Sequence, residues 1–199
     1  MEVSKIHLSS AEMELMQNAE IILTKNRVME KMKCLLEDVQ HRQVNFSDNL
    51  TSEYFNIHPK ISRGENYLGL PYLILDYPRI ASAANFFFIR TMFWWGNFFS
   101  CTLHLSGSTK LLFKDKIKEA YPQLRDYFIS SNGDPWVHRL EAPAYGRIDV
   151  MSKEAFYSQS EQFDHIKIAG KHPLSEWETA ADELYGKWKL FLSICGLVP

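Results

Sequence analysis

Apolar positions recur at helical spacing through the first forty residues, at Leu15, Ala19, Ile22, Met29, Met32, Leu36 and Val39. Ser9-Ser10-Ala11-Glu12 gives this stripe a start, because Ser and Glu three apart can satisfy each other's orphan amide donors. Thr24-Lys25-Asn26 is expected to break the segment into two helices. Residues 42–66 are polar and irregular, with Pro59 and Gly64, and read as a connection carrying one short element.

The pattern then changes from helical to strand-like. Tyr72–Tyr77 is a short apolar strand, with a turn expected at Pro78. Phe86–Trp95 and Phe98–Ser106 are rich in aromatic and β-branched residues and flank Gly96-Asn97. A two-residue loop with glycine first suits a type II′ hairpin. Ser108 or Thr109 can cap a helix carrying Phe113, Ile117, Tyr121, Leu124 and Phe128, kinked at Pro122 and ended by Asn132-Gly133. Trp136–Leu140 and Gly146–Val150 read as strands across the Ala142-Pro143-Ala144 turn. A short helix near 153–161 and a strand at Asp164–Ala169 follow. A second capping box, Ser175 to Glu178, opens a last helix with the stripe Trp177, Ala181, Leu184, Trp188, Phe191 and Cys195, ended by Gly196.

The class these elements define is α+β. A mostly antiparallel sheet with a tight aromatic hairpin is covered by an N-terminal helical segment and two later helices. The 199 residues suit a single domain, 1–199, in which 1–45 can form a helical arm.

Composition narrows the function by exclusion. Lys plus Arg, 22, nearly balance Asp plus Glu, 24, and the net charge of -2 supplies no general pull toward nucleic acid or anionic membranes. Cys34, Cys101 and Cys195 are scattered and odd in number, unlike a disulfide framework. The apolar stretch Phe86–Leu105 is interrupted by Arg90, Asn97 and His104, so no membrane span is expected. With no apolar leader after Met1, a cytoplasmic protein is expected. His138, His165 and His172 lack metal-ligand spacing, no nucleophile elbow is present, and no metal or cofactor is expected.

The hairpin supplies the candidate chemistry. With Gly96-Asn97 as the loop, Trp95 faces Phe98 and Ile89 faces His104. Alternation then puts Arg90 on an apolar face with Phe86, Phe88, Cys101 and Leu103. The other face carries Thr91, Trp95, Phe98, Ser100, Thr102 and His104. A buried guanidinium needs oxygen partners, either Asp76 on the preceding strand or an anionic ligand. Thr91, Thr102 and His104 are the few polar groups of a small-molecule pocket walled by Trp95 and Phe98. Cys101 and His104, three apart on one strand, point to opposite faces and form no dyad. Ser106-Gly107-Ser108-Thr109-Lys110 joins a strand to a helix, where amides can attract an anion or be capped by Ser108 or Thr109.

The leading expectation is a binding protein for a small apolar or aromatic anion, with Arg90, Asp76, Thr91, Thr102, His104, Trp95 and Phe98 at its site. Two others stand beside it: a module that forms a homodimer through the aromatic hairpin tip, and an enzyme using His104 and Asp76 as acid and base.

Overall fold

The computed structural model describes residues 6–48, 50, 53–82 and 85–198. Its frame is one seven-stranded sheet in which every pairing is antiparallel. The strands are β1 (Lys60–Tyr67), β2 (Leu70–Ser82), β3 (Asn85–Trp94), β4 (Phe98–Ser106), β5 (Phe128–Ser130), β6 (Tyr145–Arg147) and β7 (His165–Pro173). They lie in the order β1-β2-β3-β4-β7-β5-β6, so the last strand of the chain is inserted beside β4. The helices are α1 (Ser10–Gln17), α2 (Ala19–Ser47), α3 (Gly107–Glu119), α4 (Lys153–Glu161) and α5 (Ala180–Cys195). The α+β class is therefore the one the sequence pattern indicates. Among the described residues no helix is long and apolar enough to cross a membrane.

Local chemistry moved several boundaries. The capping box at Ser9 and Glu12 forms, but the helical segment breaks at Asn18 instead of at Thr24–Asn26, and α2 runs unbroken for 29 residues. Residues 42–66, expected to be irregular, supply the end of α2 and all of β1 but its last residue, Tyr67. Pro78 does not end β2; the strand passes through it with a register shift between Asp76 and Arg79. Trp136–Leu140 is a loop, since β5 takes the place beside β7 and the loop's backbone bonds to side chains. The final helix begins at Ala180 after a 3-10 turn over Leu174–Thr179, which leaves Trp177 half exposed.

The hairpin register is the correction with most consequence. Trp94, not Trp95, lies opposite Phe98, and the loop has three residues. Asn97 N–H donates to Trp94 O at 3.1 Å, closing a turn with Gly96 third, and Gly96 has φ of 70°. A turn with positive φ at its third residue wants glycine there, so the loop begins one residue earlier than a glycine-first turn would. That single step exchanges the faces of β4 against those of β3.

The helix-covered face consequently carries Phe87, Ile89, Phe93, Phe99, Cys101, Leu103 and Leu105, with Leu73, Leu75, Ile166 and Ile168 beside them. Met29, Leu36 and Val39 of α2, Phe113 and Ile117 of α3, and Leu184, Trp188 and Phe191 of α5 pack on it. Trp188 is fully buried, stacks on Tyr77 at 6.2 Å and donates its indole N–H to Tyr77 O at 2.6 Å. The opposite face has a smaller apolar cluster at one end only, where Ile74, Met92, Trp94 and Phe98 meet Leu140 and Ala144 of the β5–β6 connection and Tyr145 of β6. Trp94 and Phe98 are 3% and 5% exposed, so the chain itself buries these two aromatics of the hairpin, whereas Trp95 is half-buried and Gly96 and Asn97 are exposed.

Candidate functional site

Beyond that apolar cluster, the loop-covered face becomes polar. Arg90 lies opposite Asp76 on β2 and Thr102 on β4; His104 lies opposite Lys167, and Ser106 opposite His165, on β7. One face of four adjacent strands thus presents Asp76, Arg90, Thr102, His104, His165 and Lys167. Thr91 and Trp95 do not join them. Thr91 points into the helix-side core opposite Cys101, and Trp95 packs against Phe93 in the loop beneath α2. Phe98 shares the face but belongs to its apolar end.

Arg90 is committed to Asp76. Its Nε and Nη2 donate to the two carboxylate oxygens at 2.7 and 2.8 Å, with both side chains 16% exposed. This bidentate pairing spends the strongest donors of the guanidinium inside the protein. Arg90 Nη1 approaches His138 Nε2 at 3.3 Å, and burial holds the His138 pKa well below that of free imidazole. A neutral ring can accept from the arginine there. Arg90 and His138, with Tyr67, Tyr72 and Trp136, line a small cavity of about 290 Å³.

The larger cleft, about 540 Å³, opens at the other end of the face. Phe86, Leu111 and Pro135 supply its apolar walls, and His104, His165, Lys110 and Asp164 its polar ones. His104 and His165 are 4% and 6% exposed, their rings are 5.8 Å apart, and neither Nε2 has a hydrogen-bond partner among the described residues. Burial first, then the nearby charge of Lys167, pushes the His104 pKa down to about 3. The same two causes lower His165. Both rings are therefore neutral at pH 7, each with a buried nitrogen whose bonding is unfilled.

The start of α3 forms one rim of this cleft. Gly107 has φ of 57°, a conformation open to glycine and costly for most residues. Neither Ser108 nor Thr109 caps the helix. Asn85 Oδ1 accepts from Ser108 N–H at 2.7 Å, and the Thr109 hydroxyl turns to the carbonyls of Ser106 and Phe86. Lys110 reaches across to the carbonyls of Glu161 and Phe163, which places its ammonium at the same rim.

A loop closes the polar face. Asp134 N–H donates to Asn132 Oδ1 and Trp136 N–H to Asp134 Oδ1, two side-chain turns that shape residues 132–136. Lys167 holds this loop down, donating from Nζ to Pro135 O and Val137 O, both at 2.7 Å. It is 1% exposed, and burial lowers its pKa to about 7. Between the two carbonyls, Trp136 lies against Phe86, His104 and Arg90, so it separates the larger cleft from the smaller cavity.

Sequence reasoning found Arg90, Asp76, Thr102 and His104 but missed Lys167 and Trp136, and weighed His138 and His165 only as metal ligands. The signal for β7 was present: His165-Ile-Lys-Ile-Ala alternates, placing His165 and Lys167 on one face. Its pairing with β4 spans about sixty residues and no local pattern announces it. No cluster suited to a metal ion occurs among the described residues. The fold and site together define an antiparallel α+β fold with one sheet face packed by helices and the other covered by the β5–β6 connection. Comparison with protein-family models, with curated proteins and with solved structures finds no match.

Proposed function

We propose that this protein binds a small organic anion with a flat apolar body in the cleft between β4, β7 and the start of α3. The observation that carries this reading is the pair of buried, unpartnered imidazole nitrogens, His104 Nε2 and His165 Nε2, lining one cleft. Leaving a buried polar atom unsatisfied costs about 1–3 kcal/mol, which a ligand can return by supplying a partner. Phe86 and Pro135 suit a planar apolar body. Lys110 and the first turn of α3 give the rim positive character for a carboxylate or phosphate, balanced on the far side by Asp164.

This moves the anion from Arg90, whose charge is met by Asp76, to the α3 rim. Binding is favoured over acid–base catalysis on two grounds. Asp164, not Asp76, lines the cleft with His104, and an imidazole with a pKa of about 3 is a weak proton acceptor at neutral pH. The free thiol of exposed Cys34 suits a reducing compartment, in keeping with a cytoplasmic protein.

The test is imidazole nitrogen NMR with benzoate and phenyl phosphate as probes, alongside native mass spectrometry of freshly purified protein. The expected result is a shift of the His104 and His165 Nε2 resonances that is lost in Lys110→Met. No bound mass, and no movement of either resonance at millimolar probe, would end the reading.

A further inference from the structure

The face of α2 that packs on the sheet runs past the sheet's edge. At 1.5 Å per residue its 29 residues span about 43 Å, yet its first buried side chain is Met29, ten residues in. Ile21 and Ile22 lie seven residues before Val28 and Met29, hence on the same helical face, but are 42% and 57% exposed. Ahead of them α1 buries no residue at all. An eight-residue helix with nothing packed on it is marginal in water, so α1 is explained only if something covers it.

Three observations say what does. From Ile6 to Leu23, eight large apolar residues are between 36% and 82% exposed. At on the order of 100 Å² each, they match the roughly 800 Å² per partner of a standard interface. The charges are self-complementary. Residues 12–20 carry Glu12, Glu14 and Glu20 with no basic residue, and residues 25–33 carry Lys25, Arg27, Lys31 and Lys33 against Glu30. Finally, the body offers an apolar groove of about 460 Å³ at the root of the arm, where Val28 and Met32 meet Phe93, Trp95, Phe99 and half-exposed Trp177.

We infer that two copies of this chain pair through residues 6–33, antiparallel about a two-fold axis near Ile22. Each chain lays its α1 over the Trp95–Trp177 groove of the other. A two-fold contact must be complementary to itself, and an antiparallel crossing satisfies this by setting the acidic end of each arm beside the basic stretch of its partner. The present pairs Arg27–Glu20 and Lys25–Glu65 are exposed and exchange at little cost. The groove's own residues then gain the cover that the chain alone does not give Trp177.

Sedimentation velocity on the full chain at about 50 µM, above a micromolar dissociation constant, tests this. Twice the chain mass is expected, falling to a monomer in Ile21→Glu/Ile22→Glu with the thermal midpoint of the body unchanged. Glu12→Lys/Glu14→Lys/Glu20→Lys should weaken pairing at least tenfold. Mixing that variant with Lys25→Glu/Arg27→Glu/Lys31→Glu should restore it. A wild-type monomer, or a dimer indifferent to the isoleucine changes, overturns the inference.

Discussion

Toward α2, α3 and α5, the sheet shows Leu73, Leu75, Ile89, Leu103, Leu105, Ile166 and Ile168, each at most 2% exposed. Toward the β5–β6 connection, alternate residues of the same strands show Asp76, Arg90, His104, His165 and Lys167, of which only Lys167 is as deeply covered, while Asp76 and Arg90 are 16% exposed. Apolar packing needs only volume and contact, and the helices supply it to most of the first face, where buried Gln43 and Thr91 are polar exceptions. The second needs a partner for every donor and acceptor, and what covers it is a loop that supplies carbonyls and one indole. Arg90 and Lys167 find oxygen partners there; His104 Nε2 and His165 Nε2 do not. The helix side is the more completely buried, and both sides keep unmet hydrogen-bonding capacity: Gln43 and Thr91 Oγ1 toward the helices, and two imidazole nitrogens that face one cleft on the loop side.

Emptying the packed face should cost most. Trp188→Ala removes a fully buried indole, its stacking on Tyr77 and a buried hydrogen bond, and should lower stability by about 3–5 kcal/mol in urea unfolding. A loss below about 1 kcal/mol would mean the helix layer is not what holds the sheet. On the polar face the order of two substitutions is the sharper reading. Asp76→Ala leaves Arg90 charged and stranded and should cost about 2–4 kcal/mol, whereas Arg90→Met should cost less. Equal losses would show that the pair's charges matter little.

Acid should discriminate the faces too. His104 titrates near pH 6.5 when unfolded and at about 3 when folded, so between those values the unfolded chain binds more protons. Stability is therefore full above pH 6.5 and declines as pH falls toward 3. By linkage, His104 alone should lose about 3 kcal/mol between pH 7 and 4, and His165 and His138, lowered in the same direction, add to it. His104→Phe, which keeps the ring among its aromatic neighbours, should flatten that slope; an unchanged pH profile would place His104 in water. The smallest effect belongs to Trp136, 47% exposed. Trp136→Ala should shift stability by under about 1 kcal/mol while joining the two cavities, seen as faster access of a small quencher to the remaining indoles.

The packed face was the more legible from sequence. The stripe of Met29, Met32, Leu36 and Val39, and that of Leu184, Trp188 and Phe191, are periodic, and periodicity survives errors in exact boundaries. The same logic overreached at Leu15, Ile22 and Trp177, which have the period of a core but are at least half exposed in the single chain. The polar face depended on register, where a one-residue error is fatal. Choosing Gly96 as the first loop residue parted Arg90 from His104, although the structure sets them on one side. Trp136 and His138 escaped because a loop shaped by Asn132 and Asp134 can look like a strand in its alternation of side chains.

The position of β7 also sets the order in which this chain can fold as it is synthesised. The strands β1 to β4 form a meander of neighbours, complete by Ser106, and local pairings of this kind close early. The short strands β5 and β6 pair with one another, but among the described residues their strand pairing reaches the meander only through β7, which begins at His165. Until that segment is made, β4 presents an open edge and His104 has no strand on its β7 side. The two histidines come together in the same step that joins the halves of the sheet, so a truncated or stalled chain can possess half a fold but none of the cleft.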